Sequence, residues 1–297
     1  MQNECRLSII TINYNGLKDT CELIESIPFN NDMEVIVVDN ASKEDEASII
    51  SKRHPQVKVI RSDKNLGFAG GNNLGIQKAQ GDYILLINND TYFKEFNIES
   101  LIKRLDSSDK IGVVCPKLRF AWGNNPIQFT GYTSLSNITL RNKAIGFGEE
   151  DTGQYETAHP TPYAHGAAML IKRKAIERTG LMPECFFLYY EEIDWSMMFT
   201  RAGYEIWYDP SCTVYHKESQ TTGQTSPLRT YYITRNRLLL VKRNYKGISK
   251  YLSYMYLIGI VATRDIIKYT FQGRFDLINA VCRGITTFNS PLSTFNL

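Results

Sequence analysis

Over the first 115 residues, short apolar runs alternate with amphipathic stretches, and this exchange restricts the fold more than any other feature of the chain. Leu7 to Ile12, Glu34 to Val38, Val57 to Arg61, Tyr83 to Ile87 and Ile111 to Cys115 read as strands. Between them, Leu17 to Ile27, Asp45 to Arg53, Gly71 to Ala79 and Ile98 to Leu105 read as helices. Pro28 stops the first helix and Gly81 closes the third. Ile84 to Ile87 is aliphatic at every position, not every second one, which suits a strand covered on both faces. Strands and helices of these lengths in alternation predict βαβ units and a mostly parallel, Rossmann-like sheet flanked by helices.

From Pro116 to Tyr163 the periodicity fades among Gly, Asn and Thr. It returns with a strand over His165 to Lys172, a short helix over Arg173 to Thr179, a helix over Glu191 to Ala202 and a strand over Tyr204 to Tyr208. After Ser226 the chain reads as helical. The expected organisation is an α/β unit over 1–225, with halves at 1–115 and 116–225, and a helical extension over 226–297.

A hydrophobic fraction of 43% with 22% charged residues is that of a globular protein. A net charge of +3 spread over 297 residues does not point to nucleic acid, although Arg229, Arg235, Arg237, Lys242, Arg243, Lys246 and Lys250 gather late. Six cysteines (Cys5, Cys21, Cys115, Cys185, Cys212, Cys282) form no C-x-x-C pair. That spacing disfavours a zinc cluster or disulfide framework and favours a reducing compartment. No signal-peptide pattern precedes the first strand. Tyr251 to Thr263 is too short for a bilayer span and is broken by Ser253 and Gly259. A cytoplasmic chain is expected, peripheral to a membrane at most.

The strand ends carry the chemistry. The first runs into Thr11-Ile12-Asn13-Tyr14-Asn15-Gly16 and the second into Asp39-Asn40-Ala41-Ser42. The third leads to Asn65-Leu66-Gly67-Phe68-Ala69-Gly70-Gly71-Asn72-Asn73 and the fourth to Asn88-Asn89-Asp90. Asn-Asn-Asp taken alone is ordinary turn chemistry. In a parallel sheet, however, all four ends lie along one edge, where open α/β folds bind ligands. Gly67, Gly70 and Gly71 let backbone N–H groups approach a ligand, and the helix they open favours negative charge at its N-terminus. The spacing is not G-x-G-x-x-G, so a dinucleotide site fits poorly.

The succession I-I-T-I-N-Y-N-G, V-V-D-N-A-S, N-L-G-F-A-G-G-N-N-L-G and L-L-I-N-N-D-T resembles the inverting glycosyltransferases of family 2, nearest their rhamnosyltransferase-like branch, which have the GT-A fold. H-G-A-A-M-L-I-K-R-K-A, F-F-L-Y-Y-E-E-I-D-W and V-Y-H-K-E-S extend the resemblance over roughly residues 6–245. It implies transfer of a hexose or deoxyhexose, rhamnose among the candidates. The donor would be a UDP- or dTDP-linked sugar. The acceptor would be a hydroxyl of a cell-surface saccharide or a lipid-diphosphate-linked one.

Carried over by position, Asp39 would accept hydrogen bonds from a pyrimidine base, with Thr11, Asn13 and Asn15 beside it. Asn65, Gly67, Phe68, Gly70 and Asn73 would flank ribose and phosphates. The N-N-D triplet replaces the family's D-x-D, so Asp90 alone offers a carboxylate to Mg²⁺ or Mn²⁺. His216 would complete the metal site, while Asn88 and Asn89 would meet sugar or phosphate. Glu192 would be the catalytic base, with Glu191 second to it and Asp194 positioning the acceptor; Glu here replaces the usual Asp. His165, Gly166, Trp195, Arg235 and Arg237 would face acceptor or diphosphate, and a solvated basic face is an equal reading of the two arginines.

Two rival readings remain at this level. A nucleotidyltransferase also uses a parallel sheet and a metal-bound diphosphate, but Thr11 to Gly16 lacks the cation expected after its first strand. A glycan-binding scaffold with a decayed site would account for N-N-D and E-E. Tyr251 to Phe271, with tyrosines among Lys250, Arg264 and Lys268, reads either as helices packed on the core or as an interfacial surface touching a membrane.

Overall fold

In the computed structural model, residues 6–218 and 226–290 are described; Cys5, Ser219 of the V-Y-H-K-E-S motif and the boundary expected at 225 lie outside them. The early alternation forms β1 (Leu7–Asn13), α1 (Leu17–Glu25), β2 (Met33–Asp39), α2 (Glu46–Arg53), β3 (Lys58–Arg61), α3 (Gly67–Lys78) and β4 (Tyr83–Ile87). These four strands pair in parallel in the order β3-β2-β1-β4, with Asn13 level with Asp39 and Asp39 level with Arg61. The register therefore brings the polar strand ends to one edge. Ile9, Ile10, Val37, Val38, Leu85 and Leu86 have no solvent exposure. Consecutive buried aliphatics show both sheet faces covered, each fully buried side chain contributing about 1.5–3 kcal/mol.

The chain continues through β5 (Thr91–Tyr92), α4 (Ile98–Asp106), β6 (Ile111–Phe120), β7 (Ile127–Phe129), β8 (His159–Pro160), β9 (Ala168–Lys172), α5 (Arg173–Thr179), α6 (Glu191–Arg201) and β10 (Glu205–His216). The main sheet order is β3-β2-β1-β4-β9-β6-β10-β5. β9 is antiparallel to both neighbours, β6 and β10 are parallel, and β5 is antiparallel to β10. The sheet is mostly parallel, as expected.

Four boundaries differ clearly from the sequence reading, each for a local reason. α3 starts at Gly67, not Gly71, so most of the glycine-rich stretch is helix. A Cβ on Gly75 would lie 2.4 Å from Cγ2 of Ile10, and one on Gly71 would lie 2.9 Å from Cδ1 of Ile12. Those glycines let α3 lie closely on β1. β6 and β10 run on to Phe120 and His216 because they keep pairing past an irregularity between Asp209 and Thr213. The strand expected from His165 begins at Ala168, since the Ala167 N–H turns back to donate to His165 Nδ1 at 3.1 Å.

α7 (Pro227–Asn244) starts with Pro227 behind Ser226, whose Oγ accepts from the Arg229 N–H at 3.2 Å. Its Leu238 to Val241 pack with Leu135, Tyr163, Phe186 and Leu257. α8 (Gly247–Tyr254), a π-helical segment over Met255–Ala262, α9 (Thr263–Phe271) and α10 (Phe275–Thr287) follow. α10 crosses α7 closely: a Cβ on Gly284 would lie 3.0 Å from the Tyr231 carbonyl oxygen. Among the described residues no helix is long and apolar enough to cross a membrane.

Candidate functional site

A cleft of about 1100 Å³ opens at the carboxyl edge of the sheet. Ile12 lies last but one in β1 there, Asn40 follows β2, Asn65 precedes α3 and Gly67 and Phe68 open it, and Asn88, Asn89 and Asp90 follow β4. His216 arrives from the far side of the sheet. β10 runs in the same direction as β4, so its last residue reaches the same edge, and His216 pairs with Thr91 of β5. That register places Asp90 beside it: His216 Nε2 is 3.1 Å from Asp90 Oδ1, and both side chains are largely buried. The Lys217 N–H donates to the Asp90 carbonyl at 2.8 Å and fixes the backbone behind the pair.

Gln128 of β7 completes this unit. Its Oε1 lies 2.9 Å from His216 Nδ1, which assigns the proton to Nδ1 and turns Nε2 toward Asp90. Among the described residues no group of three or more His, Cys, Asp or Glu could enclose a metal ion. An imidazole nitrogen and one carboxylate, oriented from behind, fit a divalent cation that takes its other ligands from phosphate and water. They do not form a self-sufficient metal cage.

At the β2 end, Asp39 is fully buried. Its Oδ1 accepts from Asn13 Nδ2 at 2.9 Å and from Ser42 Oγ at 2.5 Å. Its Oδ2 is buried without a hydrogen-bond partner, with Arg61 Nε 3.7 Å away. An acceptor left open in this way calls for a donor. Asn13 is committed to the protein: its Nδ2 also lies 2.7 Å from Glu46 Oε2, and its Oδ1 accepts from Thr20. Thr11 is buried with Oγ1 unpartnered, and Asn15 braces the neighbouring turn through Ser42 and Lys43.

Asn40 shapes the loop into α3. Its Nδ2 lies 3.1 Å from both Asn65 Oδ1 and the Gly67 carbonyl, and its Oδ1 accepts from the Leu66 N–H. Gly67 has φ +72, and a Cβ there would lie 2.3 Å from the Phe187 carbonyl oxygen. Asn73 and Gly70 stand behind this wall: Asn73 ties α3 to Met182 and Glu184, and Gly70 packs on Leu66.

The segment before α6 is wound against its preference. Phe187, Tyr189 and Tyr190 have φ of 66, 70 and 76. Three such non-glycine residues in four cost energy and persist only where neighbours hold them. Asn236 of α7, fully buried, is that neighbour. Its Nδ2 lies 3.0, 2.8 and 2.9 Å from the carbonyl oxygens of Phe186, Leu188 and Tyr189. The Phe68 N–H donates to the Phe187 carbonyl at 2.7 Å, and Phe187, Leu188 and Tyr189 line the cleft.

This segment launches Glu191 and Glu192 from the first turn of α6. Glu191 is buried with Oε2 unpartnered. Burial first, then the neighbouring Glu192, holds its carboxyl well above the usual range. Burial also raises Glu192, which stays partly exposed near the Phe68 ring. A Cβ on Gly166 would lie 3.8 Å from Phe68 Cζ and 3.9 Å from Glu192 Cγ, so Glu192 sits behind Phe68, which lines the cleft.

Other expected residues do not line the cleft. Asp194 is fully buried in a forked pair with Arg243 (Nε to Oδ2 3.0 Å, Nη2 to Oδ2 2.9 Å) and accepts from Asn244 at 2.6 Å, tying α6 to the end of α7. Trp195 lies in the core, its Nε1 donating to the Gly180 carbonyl. Arg235 is buried and donates to the Cys185 carbonyl and Asn236 Oδ1. Arg237 Nε donates to the Tyr190 hydroxyl at 2.6 Å. His165, ring-stacked on Tyr132, is held down to about 3 by burial and then by His216. Asn40, Gln128, Leu188, Tyr189 and Asn236 were not anticipated as site residues. Asn40, at a strand end beside Asp39, and Leu188 and Tyr189, inside F-F-L-Y-Y-E-E-I-D-W, carried a sequence signal; Gln128 and Asn236 carried none.

Residues 8–180, more than half of the chain, match the family described as Glycosyl transferase family 2. The low-salt glycan biosynthesis hexosyltransferase Agl10 of Haloferax volcanii is 26% identical over 278 residues, 92% of this chain and 87% of that one. The N-acetylglucosaminyl-diphospho-decaprenol L-rhamnosyltransferase of Mycobacterium tuberculosis is 22% identical over 220 residues, 67% of this chain and 71% of that one. The crystal structure of GalNAc-T7 with UDP, GalNAc and Mn²⁺ superposes with a TM-score of 0.60 at 15% identity. It covers 89% of this chain, which spans only 58% of that protein. The shared architecture is the GT-A-like fold.

Proposed function

The chain belongs to glycosyl transferase family 2, and on that premise we propose that it is a metal-dependent, inverting hexosyl- or deoxyhexosyltransferase using a nucleoside diphosphate sugar. The observation that carries this reading is the Asp90–His216 pair, held by Gln128 in the same cleft as the Asn40-clamped loop into α3. Asp90 Oδ1 and His216 Nε2 would hold Mg²⁺ or Mn²⁺. When bound, the cation supplies neutralisation of the charge that develops on the departing diphosphate.

The remaining steps belong to this chain's own groups. The buried, unpartnered Oδ2 of Asp39 would accept from an N–H of a pyrimidine base, as in UDP or dTDP, although Asp39 itself lies behind the cleft lining. The loop into α3 would border the phosphates, with the Gly67 and Phe68 N–H groups kept by Asn65 Oδ1 and the Phe187 carbonyl. The Glu192 carboxylate takes the proton of an acceptor hydroxyl as that oxygen attacks the anomeric carbon. The bond from that carbon to the diphosphate oxygen breaks on the opposite side, and the nucleoside diphosphate leaves with the electron pair. Its raised proton affinity makes Glu192 a better base than an exposed glutamate. The two named relatives support a saccharide acceptor, free or diphosphate-linked. Calorimetry with UDP and dTDP, with and without Mn²⁺, tests the reading. Binding that needs the metal and is lost in Asp90→Ala is expected, and absence of heat with every nucleotide overturns it.

A further inference from the structure

α8, the π-helical segment and α9 are contiguous from Gly247 to Phe271, a rod about 37 Å long. One side of the rod packs on the protein through Ser253, Leu257, Ala262 and Tyr269. The opposite side is also apolar, and solvent covers it. Ile248 is 78% exposed, Tyr251 69%, Met255 69%, Ile267 52% and Phe271 89%, spaced by three or four residues within each half of the rod. Phe275, 71% exposed, stands beside Phe271 across the turn into α10. Of fifteen exposed large apolar side chains among the described residues, nine fall between 248 and 275. Such concentration marks an interaction surface, where scattered single residues would mark nothing.

Charge identifies the occupant. Residues 242–290 hold eight Lys and Arg against two Asp, an excess of six, in a chain whose total is +3. Everything outside this segment is therefore net acidic. Arg264 and Lys268 are exposed on the same outward side as Ile267 and Phe271. Both Asp side chains already have cations: Asp265 meets Arg264 and Asp276 meets Arg274. A helix with aromatic and aliphatic residues outward, cations interleaved, and too few apolar residues to cross lies in the plane of an anionic lipid surface.

We propose that the outer face of 247–275 docks on a bilayer rich in anionic lipid, with Phe271 and Phe275 entering the acyl boundary and Lys268 at headgroup level beside the Arg264–Asp265 pair. This stands apart from the transferase reading and does not need it.

The test is cosedimentation of the purified chain with extruded vesicles of phosphatidylcholine, with and without phosphatidylglycerol. Pelleting with the anionic vesicles is expected, weakening as salt rises, with little pelleting on phosphatidylcholine alone. Phe271→Ser with Phe275→Ser should lower the partition coefficient roughly tenfold or more. Lys268→Glu should weaken binding only to the anionic vesicles. Nucleotide binding by these variants, measured in solution, should stay at the starting value, which keeps the two readings separable.

Protein left in the supernatant with both vesicle types overturns the proposal, as does undiminished binding by a folded double variant. A dimer in solution that the double variant dissolves assigns the face to a second copy instead. Phe271→Trp gives a check free of any folding defect in the double variant. Quenching of its added fluorescence by brominated lipid is expected, and its absence counts against docking.

Discussion

His216 Nε2 lies 3.1 Å from Asp90 Oδ1 across 126 residues of chain, and the ring's other nitrogen is 2.9 Å from Gln128 Oε1. The geometry makes Gln128 a positioning residue. Without it the imidazole can rotate or change tautomer, and Nε2 no longer faces the carboxylate by default. Gln128→Ala is expected to weaken Mn²⁺-dependent UDP or dTDP binding about 10–100-fold, and Asp90→Ala to abolish it. Calorimetry over a metal titration reads both. Equal metal dependence in Gln128→Ala and the starting protein would remove Gln128 from the site.

Glu192 is partly exposed near Phe68 and Gly166, whereas Glu191 is buried beside it. If Glu192 takes the acceptor proton, Glu192→Gln should lower kcat by about 10²–10⁴-fold while donor binding stays nearly intact. The pH dependence follows from the raised pKa. The base works ionised, so the rate should climb as pH rises through a value above the ordinary 4.5, and the climb should vanish in the variant. Full turnover by Glu192→Gln would sink the assignment.

Glu191 makes a prediction about stability. Its folded-state pKa is raised by burial, so the folded chain binds a proton more tightly than the unfolded chain. The stabilisation this gives is complete below the ordinary glutamate pKa and is lost as pH rises through the raised value. At higher pH a charge without a partner on Oε2 remains buried. Glu191→Gln should therefore raise the thermal midpoint by about 2–4 °C per kcal/mol recovered at alkaline pH, and change it little near pH 4. A midpoint lowered equally at both pH values contradicts this account.

The parallel strands and their polar ends were legible because both signals are local. An aliphatic run such as Ile84 to Ile87 states its burial, and Asn88-Asn89-Asp90 states where it stops. The Asp90–His216 contact was legible only through resemblance, since it depends on β10 pairing with β5, a strand of two residues. Gln128 gave no signal, lying where periodicity fades. Asp194 and Trp195 sit in a matching motif and Arg235 in the late basic stretch, yet the structure uses them for the α6–α7 junction and the core. Sequence spacing assigns such residues to a helix but not to one of its faces when both faces are covered.

Gly67 holds the cleft wall by having no side chain. At φ +72 an alanine is strained, and its Cβ would meet the Phe187 carbonyl oxygen at 2.3 Å, a backbone atom with no freedom to swing aside. Gly67→Ala should cost more than about 1 kcal/mol in urea unfolding and break the hydrogen bond from the Phe68 N–H to Phe187. Gly148→Ala is the control: its φ is +80 but nothing lies within 4 Å of the added Cβ. The difference between the two isolates the clash from backbone strain, and equal losses would show that the contact with Phe187 is unimportant.

Asn236 gives the most discriminating case, because one buried amide holds a strained turn and the turn carries both cleft and candidate base. Nδ2 has two hydrogens for three carbonyl oxygens at 2.8–3.0 Å, so they are shared, and the carbonyls of Phe186, Leu188 and Tyr189 are drawn to one point. Asn236→Ala removes the donor and leaves buried acceptors unmet, costing about 1–3 kcal/mol. Asn236→Asp should also be destabilising despite its matching shape, since one carboxylate oxygen faces three carbonyl oxygens while only the other keeps the Arg235 guanidinium. Its loss should shrink as acid protonates the new side chain, a pH response that Asn236→Ala lacks. With φ positive at Phe187, Tyr189 and Tyr190, a turn released from Asn236 should relax and carry Leu188 and Tyr189 away from the cleft. Both variants should therefore raise KM for the donor, where a general loss of folded protein would lower the apparent kcat and leave KM unchanged. Kinetics with the donor varied, beside unfolding curves at two pH values, separate these outcomes; an unaltered KM in a folded Asn236→Ala protein would show that the turn keeps its shape by itself.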